Sequence, residues 1–393
     1  MNDRTRTYLR GRFRDYYRRR SGTGSGPRPV PPPAPATREW AFIPFSDAAG
    51  TPMVRHREVH DPTALGEFLV RHRPRHVYHS AARYDDPGAD AMGAKGWRGA
   101  DVVFDLDADH LPDVEAETDS YASMLATCRE ATVELVDMLR DDLGFEDLSV
   151  VFSGNRGYHV HVRDPEVLAL DRDARRELVE YVRGEGLAFD HLIRKVAVAG
   201  GSPRRQLDTD GGWGARLHRR LVAYLATLRE RPREERLEVL AAFDGMGPKR
   251  AENVHGIVDG RWSAIEAGVV DLHPDFVRFV RSFVEARVVG AGPAIDEPVT
   301  TDLHRLIRLP GSLHGKTGLV VRPVPTGELA SFDPLEAAVA PTFRENEIAV
   351  ELVRDRQLEL GGSSWSLSAG RRRVPEYVGI FLMARGVAEK VRE

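Results

Sequence analysis

The sequence predicts an α/β (α+β) fold in which a discontinuous domain with a central β-sheet is interrupted by an inserted helical subdomain. Three observations carry this expectation. Strand-like and helix-like stretches alternate from Trp40 to about residue 165. Between about 166 and 288 the text turns to amphipathic helices rich in Arg and Glu. Strand-like text then returns in AIDEPVTTDLHRLIRLPGSLHGKTGLVVRPV. At 393 residues and 41% apolar side chains the chain can bury such a core. A single cysteine, Cys128, excludes an internal disulfide and an all-cysteine zinc site, and fits a reducing compartment. No apolar run reaches membrane-spanning length, and the basic N-terminus lacks the apolar stretch of a signal peptide, so a cytoplasmic chain without a membrane partner is expected.

Taken in order, residues 1–20 read as an N-terminal basic helix. Arg12, Arg14, Arg18, Arg19 and Arg20 interleave with Phe13, Tyr16 and Tyr17, a pattern that serves nucleic-acid binding and an amphipathic face equally well. Residues 21–36, SGTGSGPRPVPPPAPA, read as a flexible Gly/Ser/Pro spacer. Residues 37–165 form the first part of the discontinuous domain. Strands are expected in REWAFIPF, MVRHREV, RHVYHSAARY and DVVFDLD, a helix from about Tyr121 to Asp142, and two strands around a tight turn in LSVVFSGNRGYHVHV. Residues 166–288 are the inserted helical subdomain. Within it FDGMGPKRAENV resembles a helix-hairpin-helix, although an ordinary Gly-Pro turn between helices accounts for it slightly better. Residues 289–345 complete the discontinuous domain, and residues 346–393 are expected to be a C-terminal helical segment.

The chemistry begins with DVVFDLDAD, Asp101 to Asp109. On a strand Asp105 and Asp107 share a face, while Val102, Phe104 and Leu106 take the other. Two adjacent carboxylates repel unless a positive charge sits between them, and a divalent cation meets that need. A solvated strand end is the simpler account of a lone DxD, so the remaining motifs decide. SGNRGYH, Ser153 to His159, places Gly154 and Gly157 in a tight bend where Ser153, Arg156 and backbone N–H groups can converge on an anion, with His159 and His161 on one face of the strand that follows. IRLPGSLHGKTGL, Ile307 to Leu319, has only three residues between Gly311 and Gly315, so it is not a P-loop. It still gathers Arg308, His314 and Lys316, donors suited to a triphosphate.

In this order and spacing the three motifs, with IDEPVT at Ile295 to Thr300, REWAFIPF and AARYDDP around them, resemble the small catalytic subunit of the archaeal and eukaryotic type DNA primase over most of residues 1–345. The resemblance implies a primase-type catalytic domain making short primers on a template by two-metal nucleotidyl transfer. It implies Mg2+ or Mn2+ held by Asp105, Asp107 and Asp296. It also implies triphosphate contacts from Ser153, Arg156, His159, Arg308, His314 and Lys316, and a further nucleotide contact from Arg55; Asp302 fits the third acid position less well. The implied partners are a primase large subunit in a heterodimer, a single-stranded DNA template and nucleoside triphosphates. Where relatives carry a Cys/His zinc site, this chain offers only His110 and Cys128, so structural zinc is expected to be absent. The rival readings are a repair or end-joining primase-polymerase of the same superfamily and a catalytically inactive nucleic-acid-binding partner.

Overall fold

The computed structural model describes residues 1–21, 29–45, 52–59, 64–112, 114–115, 119–197, 203–288 and 292–392. Two compact units result, one of Met1–Val136, Phe145–Glu177 and Ala294–Glu393, the other of Asp137–Gly144 and Leu178–Pro293. The edges of the insertion expected at 166 and 288 therefore stand at 178 and 293.

In the first unit the N-terminal helix α1 (Asp3–Ser21) buries Leu9, Phe13, Tyr16 and Tyr17. The aromatic residues among its arginines are thus core, and the amphipathic reading of this stretch is the one observed. Seven of the sixteen residues of the expected spacer, 22–28, lie outside the described residues. From residue 29 on the spacer is fixed rather than flexible: the Val30 N–H donates to the Pro310 carbonyl at 2.9 Å and Arg38 Nε donates to the Pro33 carbonyl at 2.9 Å.

The central β-sheet is realised as two four-stranded antiparallel sheets. In the first, β1 (Trp40–Ile43) lies between β2 (Val54–Arg57) and β3 (His76–Ser80), and β11 (Leu306–Arg308) pairs with β3. In the second, β6 (Val102–Asp107) pairs with β8 (Gly157–Val162), followed by β7 (Leu148–Phe152) and β12 (Arg322–Val324). A hairpin of β4 (Ala82–Tyr84) and β5 (Trp97–Ala100) joins them in sequence. Along β6, Val102, Phe104 and Leu106 are fully buried while Asp105 and Asp107 are only half-buried, as the alternation of a strand requires. On the acid face Val103 is also buried, packed with Ala81, Val299 and Ile307, so the two sheets meet directly beside the carboxylates. Helices α2 (Ala64–His72), α3 (Tyr121–Asp137), the first half of α4 (Arg172–Arg183) and the short α10 (Glu297–Thr301) and α11 (Pro334–Ala337) complete this region.

The segment from residue 346 on departs from expectation. It is mostly strand: β13 (Glu347–Leu352), β14 (Arg356–Leu360), β15 (Ser363–Leu367), β16 (Gly370–Pro375) and β17 (Ala388–Lys390), with α12 (Glu376–Ala384) as its one helix of the described residues. Gly361 and Gly362, both with φ near +70° (70° and 77°), make the two-residue turn that joins β14 to β15, a conformation that glycine adopts without steric cost. β14, β15 and β16 carry at least as many polar as apolar residues, and the polar ones suppress the apolar signal on which a strand is usually recognised.

The second unit holds β9 (Ile193–Val196) paired with β10 (Arg204–Leu207), then α5 (Gly212–Arg229), α6 (Arg233–Ala241), α7 (Pro248–Gly260), α8 (Trp262–Glu266) and α9 (Pro274–Val288). Its core includes Trp213, Leu217, Leu221, Phe276, Phe279 and Phe283. FDGMGPKRAENV forms the α6–α7 junction, turning through Gly245 at φ 68°. No helix among the described residues is long and apolar enough to cross a membrane.

Candidate active site

Pairing of β6 with β8 sets Asp105 opposite His159 and Asp107 opposite Gly157. A side chain at Gly157 would collide with the Leu106 carbonyl and approach Asp107 Oδ1 to 2.6 Å, so only glycine lets the hairpin lie this close to the acids. Asp296 arrives from the other end of the chain. Its N–H donates to the Asp105 carbonyl at 2.9 Å, immediately before α10, which packs on β6. Burial, and next the neighbouring Asp296 carboxylate, push the Asp105 carboxyl up to about 6, against the opposing pull of Arg305, Arg308 and His110. Asp107 is also raised, by burial and then by Asp105 and Asp109. Two carboxyl groups that burial and mutual repulsion hold back from ionising, with the Asp296 carboxylate beside them, suit a hard divalent cation. Among the described residues no three His, Cys, Asp or Glu side chains yet close around a point as ligands would.

The cationic side is built by the β7–β8 hairpin and the loop after β11. Ser153 is buried in the turn, where its N–H donates to the Gly157 carbonyl at 2.9 Å and its Oγ accepts from the Gly157 N–H at 3.3 Å. Gly154, at φ 81°, has no room for a side chain: a Cβ would stand 2.7 Å from that of His314. The Thr317 hydroxyl donates to the Gly154 carbonyl and ties loop to hairpin. Helix α1 secures the same loop from behind, since Tyr16 OH donates to the Gly311 carbonyl at 2.8 Å and Tyr17 OH accepts from the Leu313 N–H at 3.3 Å.

Within this frame His314 is buried against His76, ring to ring at 4.9 Å, and its Nδ1 accepts from the Lys316 N–H at 3.2 Å. Burial, then Arg308, His76 and Lys316, hold its pKa well below the ordinary value. A neutral ring whose Nδ1 accepts carries its proton on Nε2. His159 is likewise kept neutral, down to about 4, by burial and then by Arg308; its Nε2 lies 3.5 Å from Asp105 Oδ1. Arg308 Nη1 donates to His76 Nδ1 at 2.8 Å and to Tyr78 OH at 3.1 Å. Arg156 pairs with Asp109 at 2.9 Å, and together with Lys316, Arg75, Asn155 and Arg385 it lines a cavity of about 380 Å³.

The structure therefore brings together Asp105, Asp107 and Asp296, and beside them Ser153, Arg156, His159, Arg308, His314 and Lys316. It does not bring Arg55, which lies on β2, separated from β11 by two strands, and neutralises buried Glu39 at 3.0 Å. Asp302 caps a turn by accepting from the His304 N–H at 2.9 Å. His161 is buried 3.8 Å from Asp101, away from the acid pair. Four residues at the site went unread in the sequence: Arg75, His76, Asp109 and Arg385. Alternation in RHVYH would have paired His76 with Tyr78 on one face, and Asp109 stands two residues past the acid pair; Arg385 carries no local signal.

A sheet domain that sets paired carboxylates against a hairpin and loop of cations defines a class of enzyme that transfers nucleotidyl groups with metal assistance. Comparison with known proteins narrows the class. Residues 104–325 match the family model described as DNA primase small subunit. The chain is 50% identical over 399 residues to the DNA primase small subunit PriS of Haloarcula marismortui and 50% identical over 394 residues to that of Halorubrum lacusprofundi, covering 100% of both chains in each case. It is 36% identical to the PriS of Methanococcoides burtonii over 99% of each. The polymerase domain from Mycobacterium tuberculosis ligase D in complex with DNA aligns over 84% of this chain and 83% of its own, at 14% identity and a TM-score of 0.29, too low to carry weight. The chain belongs to the DNA primase small subunit family. Its activity is that of the catalytic subunit of a replicative DNA primase, and neither rival reading is favoured.

Proposed function

We propose that Asp105, Asp107 and Asp296 hold two divalent cations, Mg2+ or Mn2+, for template-directed primer synthesis, and that Ser153, Arg156, His159, Arg308, His314 and Lys316 hold the triphosphate of the incoming nucleotide. One observation carries the reading: the β7–β8 hairpin sets Gly157 opposite Asp107 and packs Gly154 against His314, so the groups that want a cation and those that want an anion share one wall. Cations bound at the acids would neutralise triphosphate charge and favour the ionised primer 3′-hydroxyl.

The chain's own groups do the rest. Lys316 and Arg156, lining one cavity, offset the charge of the outer phosphates. His314 donates from Nε2 without adding charge of its own. The Ser153 oxygen, already accepting from Gly157, keeps its hydroxyl proton to donate. Arg308, steadied by His76 and Tyr78, stays close to the acids where the α-phosphate must lie. Held in this way, the α-phosphorus gains a bond to the 3′-oxygen as its bond to the bridging oxygen of pyrophosphate breaks, and positioning supplies much of the rate.

The working assembly is a heterodimer with a primase large subunit on single-stranded DNA with nucleoside triphosphates, in the cytoplasm. Structural zinc is absent in this reading. Cys128 is fully buried in α3 against the Leu106 carbonyl, and burial pushes its thiol up, which disfavours the thiolate that a metal needs. Asp105→Asn is expected to abolish primer synthesis while thermal melting and template binding stay as in wild type. Normal synthesis by Asp105→Asn would overturn the assignment.

A further inference from the structure

We propose that the cavity walled by α12 and the β14–β15 hairpin is a binding subsite for single-stranded nucleic acid, continuing the strand path away from the triphosphate cavity. The space measures about 750 Å³, and Arg354, Arg356 and Arg385 line it together with Tyr121, Trp365 and Phe381. Arg385 also lines the cavity that holds Arg156 and Lys316, so the two spaces share one guanidinium. That the path begins at the catalytic cleft rests on the triphosphate reading above; that the cavity binds a strand does not.

Charge and surface both point to a polyanion with flat faces. Among the described residues no carboxylate pairs with any of the three arginines, and Arg356 is lowered by burial and then by Arg354 and Arg385, so the cations crowd one another without a counter-ion. The Arg385 guanidinium sits 4.6 Å from the Tyr121 ring and 5.1 Å from that of Phe381. Trp365 is held in place, its Nε1 donating to the Leu360 carbonyl at 3.1 Å and its ring packed on Tyr377 at 6.3 Å. Unpaired cations beside fixed aromatic rings are what hold a single strand irrespective of its sequence: phosphates meet the former and bases stack on the latter. An acidic peptide would use the cations and gain nothing from the rings. Asp119 and Glu359 also line the cavity and repel phosphate, which places the strand along its arginine side.

The test is fluorescence anisotropy of a labelled oligothymidylate of about 20 nucleotides, long enough to fill a groove of this kind, titrated with the full-length chain across a salt series. The double substitution Arg354→Ala/Arg356→Ala is expected to weaken binding about tenfold at low salt and to flatten the slope of log affinity against log salt by about 1.4, the loss of two phosphate contacts. Glu359→Gln is expected to tighten binding. Unchanged affinity and slope in a double variant with wild-type melting would overturn the proposal. So would displacement of the oligonucleotide by polyglutamate as readily as by unlabelled oligonucleotide. The triphosphate reading is checked apart from this, by the nucleotide KM of Lys316→Ala. A normal KM there alongside a flattened slope in the arginine variant would support the subsite and detach it from the cleft.

Discussion

His314 shows how single atoms set the chemistry. Its Nδ1 is occupied by the Lys316 N–H, and burial beside Arg308 and His76 keeps the ring neutral at neutral pH, so Nε2–H is left as a donor. In the proposed role His314→Ala would remove one hydrogen bond to a charged phosphate, worth about 1.5–3 kcal/mol. It should raise the nucleotide KM about tenfold or more, and steady-state kinetics on a primed template measure it. Lys316→Ala should act in the same direction. The acid pair and the three motif cations were legible in the sequence because alternation on a strand and glycine-shaped turns fix where side chains go. His76 was not, because its role depends on β11 pairing with β3 across more than 200 residues, and nothing local announces that pairing. Arg55 misled for the mirror reason: its neighbours in sequence gave no sign that buried Glu39 would claim it.

At the scale of elements, the β7–β8 hairpin and the loop after β11 work as one piece, tied by Thr317 to Gly154 and braced by Tyr16 and Tyr17. Gly157 is the tightest point. Gly157→Ala forces a methyl group into the Leu106 carbonyl, and because backbone must move, it should cost about 1–3 kcal/mol. Thermal denaturation should show the loss, with primer synthesis falling further than stability does, since the acids move with β6. The strand character of this hairpin was readable from LSVVF and GYHVHV, both apolar in alternation. The C-terminal strands were not, because RQLEL, SSWSL and GRRRVP carry as many polar as apolar residues, and their pairing depends on partners distant in sequence or on a glycine turn.

Across the whole molecule, a buried charge network joins the sheets beneath the site. Arg38 and Asp101 pair at 2.9 Å with neither side chain exposed; Arg163 at 2.9 Å and Arg83 at 3.4 Å complete the ring around the carboxylate, and Arg175 donates to the Asp101 carbonyl. His79 and His161 stack on each other beside this network, their ring centroids 6.3 Å apart. Burial, and next Arg38 for His79, holds that ring's pKa well below its ordinary value; burial lowers His161 to about 4 despite the nearby Asp101. Burial alone would raise Asp101, but His161, Arg38 and Arg163 outweigh it and leave the carboxyl well below its usual range. The folded state thus takes up fewer protons than the unfolded chain as pH falls. Stability from the two histidines is complete above about 6.5 and is lost as pH falls through their lowered folded values, about 4 for His161; Asp101 adds a loss of the same sign at lower pH. His159 and His314 act in the same sense and the raised Asp105 and Asp107 in the opposite one, so with the buried histidines in the majority melting temperature should drop between pH 6.5 and 4.5 at constant ionic strength, and a flat profile over that range would contradict this account.

In the proposed site Asp105, Asp107 and Asp296 share the two bound cations. Titration of the protein with Mn2+, followed by electron paramagnetic resonance of the free ion, tests it without relying on catalysis. The account predicts that Asp296→Asn and Asp105→Asn each weaken the same Mn2+ binding seen in wild type. Wild-type Mn2+ binding by Asp296→Asn would contradict it.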